Sequence, residues 1–237
     1  YTAQADARQR AITGQQKENS EVIKIKTAVI TEMDEMRKWE NVYRDAKMDQ
    51  WRALDGAKTE LETIKTKLEC INDHLTTASP TACGKLDQSD IIITGNIASS
   101  TTVHIPPLVA AIQKLENDIK IASTTAAIAN AVSGKVIKIL GDLESELLLA
   151  ADRSGVDKVK DKYCYLYNKT EKKGDVCETE ILPPPAEPKI TQYTTYSQKE
   201  AESAIKESSN VIAKTDDLTT KYECILNSYT GVIDAKC

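Results

Sequence analysis

Residues 54–75 read LDGAKTELETIKTKLECINDHL. Their apolar positions Leu54, Ala57, Leu61, Ile64, Leu68, Ile71 and Leu75 alternate strictly in steps of three and four. Steps of this size put side chains on one face of an α-helix. Upstream, Val22, Ile25, Val29, Met33, Met36, Trp39, Tyr43 and Ala46 continue the stripe, with one irregularity near Gln50. No proline interrupts residues 1–79. A helix of ~55–60 residues would be ~80–90 Å long, beyond the size of a compact globular helix. It reads as an element of a coiled coil or an elongated bundle. Trp39 lies on the stripe and is expected in the core; Trp51 lies off it and is expected to be exposed.

Two further stripes have the same spacing. One runs Leu108, Ile112, Leu115, Ile119, Ala122, Ala126, Ala129, Ser133, Val136, Leu140, Leu143, Leu147, Ala150. Pro106-Pro107 precede it, and proline is tolerated in the first turn of a helix. Its middle is rich in small residues, so neighbouring helices can approach closely there. Ser154-Gly155 ends or kinks this helix, and 156–167 is again helical. The last stripe, Ala204, Ser208, Val211, Thr215, Leu218, Tyr222, Ile225, Tyr229, follows the capping box Ser197-Gln198-Lys199-Glu200. No one of these helices buries its stripe alone. The expected fold is all-α: an elongated antiparallel three-helix bundle forming one domain, 1–237, with disulfide-tied loops at both poles.

Two connections are long for a bundle. The 79–106 insert contains the strand-like run Asp90-Ile91-Ile92-Ile93-Thr94. The 178–196 linker contains Pro183-Pro184-Pro185-Ala186-Glu187-Pro188, an extended polyproline segment. Loops of this length in a compact domain are usually functional or disordered.

The six cysteines, Cys70, Cys83, Cys164, Cys177, Cys224 and Cys237, form three Cys-x12-Cys units. Structural zinc sites use closer spacings, and the chain has only two histidines. Disulfides in an oxidising compartment are the better reading. In an up-down-up bundle Cys164 and Cys177 lie at one pole and pair with each other, because no other cysteine is within reach. The remaining four pair locally or cross-link the first and third helices; equal spacing favours Cys70–Cys83 and Cys224–Cys237. Each closed loop is worth about 3 kcal/mol in the chain-entropy model. Asn168-Lys169-Thr170 is a glycosylation sequon.

The 31 basic and 36 acidic residues give a net charge of −5, which argues against non-specific nucleic-acid binding. No run of 18 apolar residues is present, so no transmembrane helix is expected. The N-terminal residues carry no signal pattern, so any signal peptide is expected to have been removed, and no anchor signal follows Cys237. His74 and His104 have no ligand-like neighbours in sequence. No nucleotide-binding, hydrolase or metalloprotease motif is found, and neither enzymatic activity nor a cofactor is expected. The candidate binding residues are Tyr163, Tyr165, Tyr167, Tyr193 and Tyr196, since tyrosine brings large contact area at low entropic cost. The alternative is that they close the core at one pole.

The long stripes 22–75 and 108–150, with the disulfide-tied loop 70–83 at a pole, resemble the elongated three-helix-bundle surface proteins of trypanosomes. Those include variant surface glycoproteins and the haptoglobin–haemoglobin receptor. The resemblance implies a bundle architecture and usually a lipid anchor; it assigns no binding residue. The expected function is that of a non-enzymatic secreted or cell-surface protein presenting loops to an extracellular macromolecule, such as one from a host. One alternative is a self-assembling fibre or coat protein. The other is a membrane-active toxin, suggested by 12 apolar residues among the 22 from Ile91 to Ile112.

Overall fold

The computed structural model describes residues 2–76, 101–167, 175–177, 198–230 and 234–237. Among these residues the regular structure is entirely helical: α1 (Thr2–Thr76), α2 (Ile105–Leu149), α3 (Arg153–Tyr167) and α4 (Gln198–Thr230). Short 3-10 turns lie at Thr101–Val103 and Asp175–Cys177. The strand-like run 90–94 and the proline-rich linker 178–196 lie outside the described residues.

Helix α1 begins about twenty residues before its apolar stripe. From Arg8 to Glu21 its side chains are exposed, so packing does not hold this part helical. The stretch is rich in Ala, Gln, Arg, Glu and Lys, all good helix formers. Extending an existing helix also avoids the cost of nucleating a new one.

From Val22 onward a four-three alternation runs along α1, buried at most positions and half-buried at Lys26, Tyr43, Lys47 and Gln50, with Ala46 buried beside it. It passes through Val22, Lys26, Val29, Met33, Met36, Glu40, Tyr43, Lys47, Gln50, Leu54, Ala57, Leu61, Ile64, Leu68 and Ile71. The irregularity expected near Gln50 is present: Ala46 and Leu54 are buried, and no residue between them is. Trp39 requires a correction. The seam position is Glu40, which is fully buried, and Trp39 is half-buried beside it. Its indole Nε1 donates to Glu35 Oε1 at 2.9 Å, and Lys38 Nζ sits 4.8 Å from the ring centroid. Trp51, expected to be exposed, is half-buried against Leu54 and its neighbours. The Trp51 ring is large enough to reach the core from a flanking position.

The described chain forms two compact units. The first comprises Tyr1–Asp45 and Ile128–Ile205. Its core joins Val22, Val29, Met33 and Met36 of α1, Val136 to Leu147 of α2, and Val156, Val159, Tyr163 and Leu166 of α3. Arg37 bonds Glu144, Lys26 reaches the end of α2, and Arg153 pairs with Glu21 at 3.4 Å. Falling numbers on α1 thus match rising numbers on α2, and the two helices run in opposite directions. Helix α3 lies alongside α2, since Lys162 Nζ bonds Glu146 Oε2 at 2.9 Å.

The corner between α2 and α3 has identifiable causes. The Lys26 ammonium donates to the carbonyls of Ala150 at 2.6 Å and Leu148 at 3.3 Å, satisfying groups that the end of a helix leaves unpaired. Asp152 caps α3 by accepting from the Gly155 amide at 2.8 Å. A Cβ on Gly155 would lie 3.1 Å from Ala150 Cβ, so the corner's close approach favours glycine.

The second unit comprises Ala46–Ala127 and Lys206–Cys237. Its core joins Leu54 to Ile71 of α1, Leu108 to Ala122 of α2, and Tyr222, Leu226 and Tyr229 of α4. Lys58 pairs with Glu116 at 3.6 Å, and the buried Thr101 hydroxyl donates to Leu68 O at 3.1 Å. Here too α1 and α2 run in opposite directions. Lys47 pairs with Glu207, and His104 packs edge-on against Tyr229 with centroids 6.2 Å apart, so α4 runs in the direction of α1.

Candidate functional site

The feature with the clearest chemical signature is the closure of the chain behind the helices. Cys164 near the end of α3 is joined to Cys177, with Cα atoms 5.3 Å apart. Cys224 near the end of α4 is joined to Cys237, with Cα atoms 5.4 Å apart. Both separations fall where disulfide geometry requires them. Cys70 near the end of α1 is also disulfide-bonded; Cys83, the local partner expected for it, lies outside the described residues. No free cysteine is found among the described residues.

Local contacts show how each closure is held. Cys164 and Cys177 are fully buried and belong to the core of the first unit, beside Tyr163 and Leu166. The 3-10 turn Asp175–Cys177 brings the chain back against α3. In the second unit, Asp234 arrests the chain in a turn. Its carbonyl accepts from the Cys237 amide at 3.1 Å, and its carboxylate accepts from the Lys236 amide at 2.9 Å. Cys70 is fully buried two residues after Leu68. Thr101 bonds to Leu68, and His104 meets Tyr229, so the closures at Cys70 and Cys224 both lie near the start of α2.

Two of the aromatic candidates follow the alternative of closing the core at one pole. Tyr163 is fully buried and Tyr165 is 8% exposed; both are core residues of the first unit rather than a binding surface. Their rings close the end of a core whose middle consists of smaller aliphatic side chains. The side chain of Tyr167, together with Asn168, Tyr193 and Tyr196, lies outside the described residues. Tyr222 is buried against α1 and α2, and desolvation raises its phenol above the ordinary tyrosine value.

His104 is occupied with the Tyr229 ring, and the His74 side chain lies outside the described residues. No group of three or more His, Cys, Asp or Glu able to hold a metal is present among the described residues. No described helix is long and apolar enough to cross a membrane. Of the run Ile91 to Ile112, residues 105–112 belong to α2, where Leu108 and Ile112 are buried.

Thr101 and Lys26 were not legible as anchors. Thr101 sits in a polar run of Ser and Thr, and Lys26 looks like any surface lysine. Extending the four-three seam back from Val29 would have marked Lys26. Protein-family models, characterised proteins and solved structures provide no match to the chain.

Proposed function

We propose that this chain is a non-enzymatic secreted or cell-surface protein. Its helices form a three-helix-bundle scaffold that presents the disulfide-closed segments and long connections to an extracellular macromolecule. The observation that carries this reading is the placement of the disulfides. Cys164–Cys177 and Cys224–Cys237 each tie a segment back to the helix it follows, and neither crosses between helices. Covalent reinforcement thus goes to the segments that follow α3 and α4 rather than to contacts between helices, and rigid scaffolds usually carry function outside their regular elements. Burial already holds the helices together. The bonds also suit an oxidising compartment, where the Asn168 sequon would be glycosylated. A likeness to trypanosome surface proteins, carried by the long stripes alone, is part of the same proposal. The test is to replace 84–100, 178–196 and, inside the Cys164–Cys177 closure, 168–174 by Gly-Ser chains of equal length and measure capture of proteins from extracellular fluid. Loss of a partner that the native chain retains is expected; unchanged capture overturns the reading.

A self-assembling structural role is the second reading. Its support is the pair of exposed isoleucines seven residues apart on each of two helices. They are Ile121 and Ile128 on α2, and Ile205 and Ile212 on α4. Seven-residue spacing is that of a helix-packing seam. Sedimentation across a wide concentration range decides it, and a concentration-independent monomer rules it out.

A further inference from the structure

The geometry points to a binding site on the second unit for a short cationic amphiphile: an ammonium group carried on a small apolar body. The α1 seam is apolar from Leu54 to Ile71, but between Leu54 and the buried Ala46 before it lie the half-buried polar residues Lys47 and Gln50. These positions forgo the burial that leucine would bring. A cleft of about 230 Å³ opens there, between α1, α2 and α4. Departures from an otherwise consistent pattern concentrate at functional sites, and this one coincides with open volume.

The cleft has the two kinds of wall that a small-molecule site needs. Leu54 and Ala122 are buried, and Val211 is half-buried beside them. Charged groups converge on the same space. The Lys47 side chain is only 12% exposed and is matched by Glu207. Asp118 also lines the cleft and has no ion pair or hydrogen bond among the described residues. One lysine against two carboxylates leaves one negative charge, carried by Asp118. An ammonium head therefore sits at Asp118, and its apolar body lies against Leu54, Ala122 and Val211. The volume accommodates roughly eight water-sized groups at ~30 Å³ each. That matches n-hexylammonium.

The experiment titrates the whole chain with n-hexylammonium, 1-hexanol and hexanoate, following backbone amide shifts by NMR. Hexylammonium is expected to saturate on the order of millimolar, as suits so small a ligand. The shifts should cluster at 47–54, 118–125 and 207–211. Hexanol should bind more weakly and hexanoate not at all. Asp118→Asn should weaken hexylammonium about tenfold and leave hexanol unchanged. Gln50→Leu, which restores the apolar seam and fills the cleft, should abolish both. Absence of saturable shifts, equal response to all three probes, or indifference to both substitutions overturns the assignment.

Discussion

Replacing Lys26 by methionine isolates the cap that ends α2. Methionine keeps the length and most of the packing of the lysine stem but removes the ammonium. Two carbonyls then lose a charged donor: Ala150 O at 2.6 Å, which is partly buried, and Leu148 O at 3.3 Å. A hydrogen bond to a charged group is worth about 1.5–3 kcal/mol, and the longer contact adds little. A cation at a helix C-terminus contributes about 0.3–1 kcal/mol, but through the same atoms, so the two figures are not summed. The expected loss is about 2 kcal/mol, or a fall in melting temperature of roughly 4–8 °C for a chain of this size. Thermal and urea unfolding followed by far-UV circular dichroism measures it. Lys26→Arg, which retains charge and donors, should recover part of the loss. A Lys26→Met protein within about 0.5 kcal/mol of the native chain would match an ordinary surface substitution. The cap would then contribute nothing, and another cause must hold the corner at residues 150–155.

Ser133 is buried with no hydrogen-bond partner for its hydroxyl among the described residues, so Ser133→Ala should stabilise the chain by about 1 kcal/mol in denaturant titration. Leu61→Ala empties a fully buried site in the second unit and should cost about 3–5 kcal/mol by the same assay. Ala129 is 1% exposed on the small-residue seam of α2, so Ala129→Leu should cost about 1–3 kcal/mol through overpacking. Burial raises the Tyr222 phenol above its ordinary value of 10.0. The folded state therefore holds this proton more tightly than the unfolded chain. The resulting stability is complete below pH 10.0 and is lost as pH rises through the folded value. Tyr222→Phe should flatten that alkaline decline, as read by urea unfolding between pH 9 and 11.

The helices were legible because their stripes run for many turns. Every member of the α2 stripe from Leu108 to Leu147 is buried except Ile119, which is half-buried. Where the seam turns polar, residue type misled the reading. Trp39 is more hydrophobic than its neighbour Glu40, yet register puts Glu40 inside. The N-terminal part of α1 was missed for a different reason: it has helix propensity without a face to bury. The cysteine spacing led to the local closures because a 13-residue return reaches back to the helix it left. For the tyrosines near Cys164 the sequence left two readings open, a contact surface and a core end. Composition cannot separate a contact surface from a core end, and packing against Val156, Val159 and Met33 decided for the core.

The central claim is that the disulfides hold presented segments while burial holds the helices. Circular dichroism and partner binding on one sample, before and after reduction, test it most directly. Local bridges worth about 3 kcal/mol each compete with cores in which each buried leucine contributes roughly 1.5–3 kcal/mol. Most of the helical signal should therefore survive reduction at room temperature with a lowered melting temperature, while binding falls much more steeply. Helix and binding lost together would make the bridges part of the scaffold, and binding that survives reduction intact would contradict the role assigned to the closed segments.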